Sequence, residues 1–324
     1  MIHHDQLSLP GLMTVRHTHH ELWCDTVFRS CARPPDPLKG MLCLDLDGTL
    51  IHGDTPMHPS DVAGLKTLAR AGWLRIIATG RSLESFRRAI PDPAGLPVDY
   101  LVFSSGVGII EIRSGSLIRT VNLSPTAVER ILDVLNRFQM DYMIHHPAPD
   151  NVRFSWWSHS VENDDFHRRI SLYTQHSTPL KTAPDSWTAS SAQVISVVPP
   201  GDPRRALERI RNALPMFNVI RTTSPLDGYS TWIEIYPGIV SKARACQWVR
   251  DRLSSADSPL FPTVAAGNDF NDLDMLEWAD RGYVMPGAPE SLREQFPCLT
   301  RNNPDGNGGR LETLFRILNT TGSS

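Results

Sequence analysis

The fold of this 324-residue chain is decided at residues 41–49, which read Met-Leu-Cys-Leu-Asp-Leu-Asp-Gly-Thr. The first four residues are apolar, which is typical of a strand buried on both faces in a parallel sheet. Asp45 and Asp47 follow where the strand should end, and Gly48 can adopt backbone angles that other residues resist. The stretch predicts two acids and a tight turn at the carboxyl edge of a sheet, where open α/β folds bind ligands.

Alternating strands and helices follow this stretch. A helix is predicted from Pro59, with Ser60 as its N-terminal cap and Gly72 close to its end. A strand at 74–78, a helix at 82–90 and a strand at 100–103 come next. Repeats of this length predict an α/β fold with a doubly wound, mainly parallel sheet.

The pattern changes near residue 123, where a different mixture of helices and strands begins. The predicted elements here are helices at 125–138 and 203–214 and strands at 142–144, 194–198 and 218–222. They indicate an inserted α+β cap at 123–224. The parallel pattern is expected to resume with a strand at 232–235, a helix from Ser241 and a strand at 263–266. The predicted core therefore consists of residues 39–122 and 225–324.

Residues 1–38 differ from the rest because they are rich in histidine and end in a proline cluster. The histidines fit either a transition-metal site or a mobile polar extension, and a flexible extension without an assigned function is the prediction.

Composition excludes several classes of protein. The formal net charge of −3, with Lys and Arg dispersed, favours neither nucleic acid nor an anionic membrane as a partner. No apolar run has the length of a membrane span, and no signal peptide is recognisable. The five cysteines are scattered, which is typical of reduced thiols in a cytoplasmic protein.

Further polar motifs follow the other predicted strands of the core. They are Thr79-Gly80-Arg81, Ser105-Gly106, Lys242 at a helix start, and the loop from Gly267 through Asn268, Asp269 and Asn271 to Asp272. Paired carboxylates at such an edge suit a hard cation, and one of them can attack phosphorus as a nucleophile.

In order and spacing these motifs resemble those of haloacid dehalogenase superfamily phosphatases. More narrowly, the chain resembles the Cof-type and sucrose-phosphate-phosphatase-like branch, which has a large type IIB cap after the third strand. The resemblance covers residues 40 to about 320. It implies a Rossmann-like core, a phosphatase activity and Mg²⁺ as the cofactor.

The resemblance also implies roles for individual residues. Asp45 would attack phosphorus to form an aspartyl-phosphate, and Asp47 would act as general acid and then base. Thr79 would offer its hydroxyl and its backbone amide to the phosphoryl oxygens, and Lys242 would offer a fixed positive charge. Arg81 either points into the site or is a plain helix-start charge. The predicted substrate-binding residues are Thr79, Gly80, Arg81, Ser105, Gly106, Lys242 and Asn271.

The fourth loop departs from the family pattern, which places a metal-binding Asp where this chain has Asn268. An amide oxygen can still bind Mg²⁺ without adding charge, or the loop can shift so that Asp269 reaches the ion. The predicted metal ligands are Asp45, Asp47 through its carbonyl, Asn268, Asp269 and Asp272. The alternative is an acidic helix start without a metal. Ser105 likewise replaces an Asn that the family often carries.

The cap offers candidates for contacts beyond the phosphate. They are His145, His146, Arg153, Trp156 and Trp157, with Arg221, Asp227 and Glu234 near the return to the core. The alternative is that the tryptophans pack the cap's own core while the histidines lie on its surface.

The leading hypothesis is a Mg²⁺-dependent phosphomonoester hydrolase that acts on a small phosphorylated metabolite, with a sugar phosphate as the expected substrate. A phosphomutase would keep the phosphorylated Asp45 but exclude water from it. A non-catalytic sensor of a phosphorylated ligand is the third hypothesis, favoured only by Asn268. The sequence assigns neither the particular substrate nor an oligomeric state.

Overall fold

The computed structural model describes residues 12–13, 37–53, 55–160, 162–184, 186–199, 201, 203–224, 226–254, 261–299 and 309–320. The predicted N-terminal extension lies outside these residues, apart from 12–13 and 37–38. Among the helices of all the described residues, none is both long and apolar enough to cross a membrane.

The strands and helices are numbered in chain order. The strands are β1 (Leu12–Met13), β2 (Gly40–Leu44), β3 (Trp73–Ala78), β4 (Tyr100–Phe103), β5 (Gly108–Glu111), β6 (Ser116–Thr120), β7 (Asn122–Leu123), β8 (Tyr142–His145), β9 (Phe154–Trp157), β10 (Ser177–Pro179), β11 (Val194–Val198), β12 (Phe217–Thr223), β13 (Thr231–Pro237), β14 (Thr263–Gly267) and β15 (Arg281–Val284). The helices are α1 (Pro59–Arg70), α2 (Leu83–Ala89), α3 (Pro125–Arg137), α4 (Asp164–Leu172), α5 (Pro203–Ala213), α6 (Lys242–Leu253), α7 (Leu273–Trp278), α8 (Glu290–Gln295) and α9 (Glu312–Thr320).

The described residues divide into two compact units. One, here named the core unit, comprises the described parts of 37–120, 220–223 and 239–320. The other, here named the inserted unit, comprises the described parts of 121–219 and 224–238 together with residues 12–13. The chain finally returns to the core unit after Gly238, later than the predicted boundary at residue 225.

The core unit is built on a seven-stranded sheet with the order β15-β14-β2-β3-β4-β5-β6. The pairings from β15 through β4 are parallel, whereas β5 and β6 are antiparallel additions at one edge. Residues Met41, Cys43, Ile76, Val102 and Ala265 belong to its buried apolar core. The predicted α/β class with a mainly parallel sheet is confirmed.

Helix caps in the core unit explain where its helices begin. Ser82 and Ser241 cap α2 and α6, in agreement with the predicted starts. At α1 the prediction that Ser60 is the cap is wrong. Pro59 occupies the first helical position, so the preceding residue, His58, becomes the cap and its ring accepts a hydrogen bond from the Ser60 amide. The Ser60 hydroxyl instead accepts from the Gly309 amide.

The inserted unit is built on a six-stranded sheet with the order β10-β9-β8-β11-β13-β12. The prediction that residues 232–235 resume the parallel core sheet is wrong, because β13 pairs antiparallel with β11. Ile233 and Ile235 pack in one apolar cluster and Trp232 in another, so β13 is covered on both faces. A strand buried in this way has the same continuous apolar pattern as a parallel core strand.

Candidate active site

Three buried charges meet at the end of β2. Lys242 Nζ donates hydrogen bonds to Asp45 Oδ1 at 2.7 Å and to Asp272 Oδ1 at 2.6 Å. Neither Lys242 nor Asp272 is exposed, and Asp45 is 4% exposed. The Asp45 amide also donates to the carbonyl of Ala266 in β14, which fixes the carboxylate at the sheet edge.

A glycine allows the helix that carries Lys242 to approach this edge. The φ angle of Gly106 is +109°, a conformation that favours glycine. A Cβ atom at this position would lie 2.5 Å from the backbone oxygen of Ser241. Gly106 is therefore required where α6 begins, and its predicted contact with substrate stays a prediction.

Burial governs the protonation of this charged group. Burial, followed by the nearby Asp272 carboxylate, raises the pKa of Asp45 to about 8, although Lys242 opposes the shift. Burial alone would lower the pKa of Lys242, but the two carboxylates raise it above its usual range. Lys242 is therefore a permanent cation.

Asp47 forms a bidentate ion pair with Arg81. Arg81 Nε and Nη2 donate to the two carboxylate oxygens of Asp47 at 2.7 and 2.6 Å. Arg81 also donates to the Ser85 carbonyl at 3.2 Å, so its guanidinium is fixed from both sides. Arg81 thus orients Asp47, whose side chain is 46% exposed, and is not a plain helix-start charge.

Thr79 is buried beside this pair. Its amide donates to the Val102 carbonyl at 2.9 Å, which is part of the pairing between β3 and β4. The prediction that this amide contacts a phosphoryl oxygen is therefore not supported. Thr79 Oγ1 accepts a hydrogen bond from the Arg81 amide at 3.1 Å and retains its own proton to donate.

Ser105 is held in an uncommon conformation next to Gly80. Its φ angle is +53°, and that of Ser104 is +49°. Among the described residues, no partner lies within hydrogen-bond distance of the buried Ser105 Oγ. A Cβ atom at Gly80 would lie 3.7 Å from Ser105 Oγ and 3.5 Å from Asn271 Nδ2. Ser105 and Asn271 therefore flank the backbone of Gly80.

The polar residues of the fourth loop, at 267–272, make different contacts. The Asn268 side chain lies against Gly48, where a Cβ atom would collide with it. Asp269 instead accepts hydrogen bonds from the amides of Phe270 at 2.8 Å and Thr223 at 3.3 Å. Asp272 Oδ2 accepts from the amides of Asn268 and Asp269, at 2.8 and 3.2 Å.

These contacts test which residues fit a hard cation. Asp45 and Asn268 follow the adjacent strands β2 and β14, and the Asn268 side chain lies against Gly48, the residue after Asp47. A carboxylate, a carbonyl and an amide oxygen form a donor set suited to Mg²⁺. The oxygens of Asp269 and Asp272 accept hydrogen bonds from backbone amides, and Asp272 accepts another from Lys242. The roles of these two residues as metal ligands stay predictions. Within the described ranges, no three His, Cys, Asp or Glu residues are grouped so that they could hold a metal ion by themselves.

One residue of the site was not predicted. Asp274 accepts a hydrogen bond from the Ala243 amide at 3.1 Å, and burial raises the pKa of its carboxyl. It therefore binds the first turn of α6 beside Lys242. The signal available in the sequence was a third acid two positions after Asp272.

The candidates in the inserted unit separate into different environments. His145 is buried, whereas His146 and Arg153 are exposed near Asp150. Trp156 and Trp157 pack against different apolar clusters, as the alternative interpretation expected. Arg221 lies over the Phe270 ring within the core unit, Asp227 accepts hydrogen bonds within its own turn, and Glu234 accepts one from the Tyr236 hydroxyl.

The chain belongs to the haloacid dehalogenase-like hydrolase family, whose model matches residues 42–308. It is 23% identical over 280 residues to the pyridoxal phosphate phosphatase YbhA of Escherichia coli, with 81% of this chain and 93% of that protein covered. It is 21% identical over 290 residues to the 5-amino-6-(5-phospho-D-ribitylamino)uracil phosphatase YwtE of Bacillus subtilis, with 82% and 94% covered.

Solved structures share the fold. The subclass IIB sugar phosphatase BT4131 superposes with a TM-score of 0.61 at 13% identity, covering 87% of this chain and 99% of that one. The predicted membership of the Cof-type branch is confirmed, and the chain is a phosphatase.

Proposed function

We propose that this phosphatase hydrolyses phosphomonoesters of small metabolites through an aspartyl-phosphate at Asp45, with Mg²⁺ as cofactor and a sugar phosphate as the expected substrate. The observation that carries the proposal is the buried contact of Lys242 with Asp45 and Asp272. A carboxylate oriented by a permanent cation is suited to attack phosphorus. The names of the relatives support the metabolite class, since two act on phosphorylated small molecules.

In the first step Asp45 acts as the nucleophile in its ionised form, which Lys242 favours and a bound cation would favour further. Its Oδ1 is held by Lys242, so Oδ2 forms the bond to phosphorus while the bond to the ester oxygen breaks. Asp47 gives its proton to that leaving oxygen. A water molecule then attacks phosphorus while the bond between phosphorus and Asp45 Oδ2 breaks, and Asp47 takes up a proton from the water. Inorganic phosphate and free Asp45 result.

Arg81 positions Asp47 for both proton transfers. Protonation of Asp47 requires one of the two hydrogen bonds from Arg81 to be released, which its half-exposed position permits.

The phosphoryl oxygens are assigned to groups around Gly80. Lys242 supplies positive charge, and Thr79 supplies a hydroxyl proton. The Ser105 hydroxyl, which has no hydrogen-bond partner among the residues that the structure describes, and the Asn271 amide flank the same backbone. These donors offset the charge that accumulates during phosphoryl transfer.

Mg²⁺ would be held by Asp45, the Asp47 carbonyl and Asn268. When bound, it would offset the repulsion between the nucleophile and the phosphate and polarise a phosphoryl oxygen. We further expect the inserted unit to select the metabolite. A cytoplasmic location is supported by the free cysteines Cys43, Cys246 and Cys298.

The test is phosphate release from a panel of sugar phosphates and pyridoxal phosphate, with Mg²⁺ or with EDTA. The proposal expects metal-dependent turnover that Asp45→Asn abolishes, while Asp92→Asn, at an exposed turn, retains it. Turnover unaffected by Asp45→Asn would overturn the mechanism. Binding without turnover would favour the sensor, and isomerisation without phosphate release would favour the mutase.

A further inference from the structure

A tight turn at residues 46–51 follows β2 and is closed by hydrogen bonds within its own backbone. The Gly48 amide donates to the Ile51 carbonyl at 2.7 Å, and the amides of Leu50 and Ile51 both donate to the Leu46 carbonyl at 2.9 Å. The φ angle of Gly48 is +78°, a conformation that favours glycine. Because glycine has the most backbone freedom of any residue, contacts from outside the turn are needed to hold Gly48 in one conformation.

One such contact comes from the C-terminal part of the chain. Arg310 Nη1 donates a hydrogen bond to the Gly48 carbonyl at 3.1 Å. The donor is charged, and such hydrogen bonds are stronger than those between neutral groups. The Asn268 side chain lies where a Cβ atom of Gly48 would be. Gly48 is therefore held by two residues that are distant from it in the sequence.

Asp61 fixes the backbone that carries Arg310. Its two carboxylate oxygens accept hydrogen bonds from the amides of Arg310 at 2.9 Å and Leu311 at 3.0 Å. The neighbouring Ser60 hydroxyl accepts one from the Gly309 amide at 2.9 Å. Asp61 is fully buried, and a Cβ atom at Gly309 would collide with Asp61 and Ser60. The first turn of α1 thus determines where residues 309–311 lie.

The helix that follows these residues packs on α1 as well. Leu314 and Leu318 of α9 are buried, and the Phe315 ring lies where a Cβ atom of Gly64 would be. All of these residues belong to the core unit. α1 therefore holds α9 together with the segment before it, and Arg310 extends from this segment to the 46–51 turn.

The peptide group next to Gly48 belongs to Asp47, whose carbonyl and carboxylate both have roles in the proposed mechanism. Because a peptide group is planar, the direction of the Asp47 carbonyl is determined by that of the Gly48 amide. The Gly48 amide is bound by Ile51 and the Gly48 carbonyl by Arg310. These two hydrogen bonds together restrict both backbone angles of Gly48, and with them the direction of the Asp47 carbonyl.

We propose that Arg310 is a positioning residue of the active site, which acts on Asp47 through Gly48, and that Asp61 holds Arg310 in place. The positioning would direct the Asp47 carbonyl toward the cation and its carboxyl toward the leaving oxygen. The effect on the site rests on the proposed function, whereas the effect on the 46–51 turn does not. A purely electrostatic role would act in the opposite direction, because a positive charge near the metal site repels Mg²⁺.

Hydrogen exchange in EDTA tests the effect on the turn. Arg310→Met removes the donor but keeps an unbranched side chain and the backbone amide that Asp61 binds, so the variant should fold. Exchange of the peptide that covers residues 46–51 should be about tenfold faster than in the wild type, since a charge-assisted hydrogen bond to the turn is lost. Arg316→Met, which replaces an exposed arginine of α9, is the control and should leave this peptide unchanged.

A second variant tests the role of Asp61. Asp61→Asn places an NH₂ group against one of the two backbone amides that the carboxylate binds, so Arg310 should lose its fixed position. We expect faster exchange in the 46–51 peptide as well as in the peptide that covers residues 309–311. In the double variant Arg310→Met/Asp61→Asn, the 46–51 peptide should exchange no faster than in Arg310→Met, because Asp61 acts on the turn through Arg310.

Calorimetry and kinetics test the effect on the site. Loss of positioning should raise the Kd of the substrate-free Arg310→Met variant for Mg²⁺ by roughly tenfold, whereas loss of a repelling charge alone would lower it. At saturating Mg²⁺, kcat should fall by roughly tenfold while KM changes by less than about twofold, since Arg310 acts on Asp47 and not on the substrate. Arg310→Lys keeps the charge and a donor, so it should recover most of both losses.

The outcomes separate this role of Arg310 from the proposed function. If the wild type binds no Mg²⁺ or releases no phosphate, the proposed function fails, and hydrogen exchange in EDTA still decides whether Arg310 holds the turn. Equal exchange of the 46–51 peptide in Arg310→Met and in the wild type would overturn the proposal. Tighter binding of Mg²⁺ by Arg310→Met than by the wild type, or an unchanged kcat, would overturn the positioning of Asp47.

Discussion

Lys242 Nζ lies 2.7 Å from Asp45 Oδ1 and 2.6 Å from Asp272 Oδ1, with almost no solvent access to any of the three side chains. One buried cation thus forms ion pairs with two carboxylates. Asp272 is fixed in turn by two backbone amides, so it positions Lys242 against Asp45. The catalytic and structural roles of the group can be separated by substitution.

Lys242→Met should abolish turnover and destabilise the fold. Removal of one partner from a buried ion pair costs about 3–5 kcal/mol, because a carboxylate is left without its counter-charge. The double variant Lys242→Met/Asp272→Asn should recover much of the free energy of unfolding but none of the activity. Urea denaturation and phosphate release measure the two effects. Equal stability of the single and double variants would contradict this account.

Asp45→Asn should change how stability depends on pH. In EDTA, the raised pKa of Asp45 means that the folded chain retains a proton between about pH 4 and pH 8 that the unfolded chain has lost. Stability of the wild type should therefore fall as pH rises through this window. Asp45→Asn removes this pH-dependent contribution. The free energy of unfolding of the variant, relative to that of the wild type, should therefore rise from pH 5 to pH 8. An advantage that is constant with pH would show that Asp45 does not titrate in this range.

Arg81→Met should impair proton transfer more than phosphate binding. Because Arg81 fixes both oxygens of Asp47, its loss should lower kcat by roughly 10–100-fold for alkyl phosphates, whose leaving oxygen needs a proton. For p-nitrophenyl phosphate, which has a good leaving group, the loss should be smaller. Arg88→Met, which breaks the exposed pair with Glu84, is the control. Equal losses for both substrates would indicate a role in binding instead.

Asn268→Asp should strengthen the metal site. The substitution adds a negative charge beside Gly48 without a change of side-chain length, so the Mg²⁺ concentration at half-maximal activity should fall by roughly tenfold. Asp269→Asn should leave that concentration nearly unchanged, because Asp269 accepts from backbone amides. The reverse pattern would mean that Asp269 is the ligand.

Local patterns were sufficient to predict the parallel sheet and the residues at its carboxyl edge. Asp45, Asp47, Thr79 and Lys242 each follow a strand or begin a helix, and such positions are determined by nearby residues. The sheet to which β13 belongs depends instead on which strand it pairs with, and a strand buried on both faces carries no sign of that choice.

The hydrogen-bond partners of individual polar groups could also not be predicted from the sequence. The Thr79 amide donates to the Val102 carbonyl, and the Asp269 carboxylate accepts from the amides of Phe270 and Thr223. These hydrogen bonds depend on strand register and loop geometry. The pairing of Arg81 with Asp47 joins residues on two different strand ends, so the sequence left two interpretations of Arg81 open.

The most direct test of the central claim is chemical trapping of the phosphorylated carboxylate. Asp47→Asn should slow hydrolysis of the intermediate, since it removes the general base, so the variant is mixed with acetyl phosphate and Mg²⁺. Reduction with borohydride converts an aspartyl-phosphate to homoserine, which peptide mass spectrometry locates. The account predicts homoserine at position 45 and none when Asp45 is also replaced by Asn. Phosphate release by the wild type, with no homoserine at position 45 in the trapped variant, would contradict it.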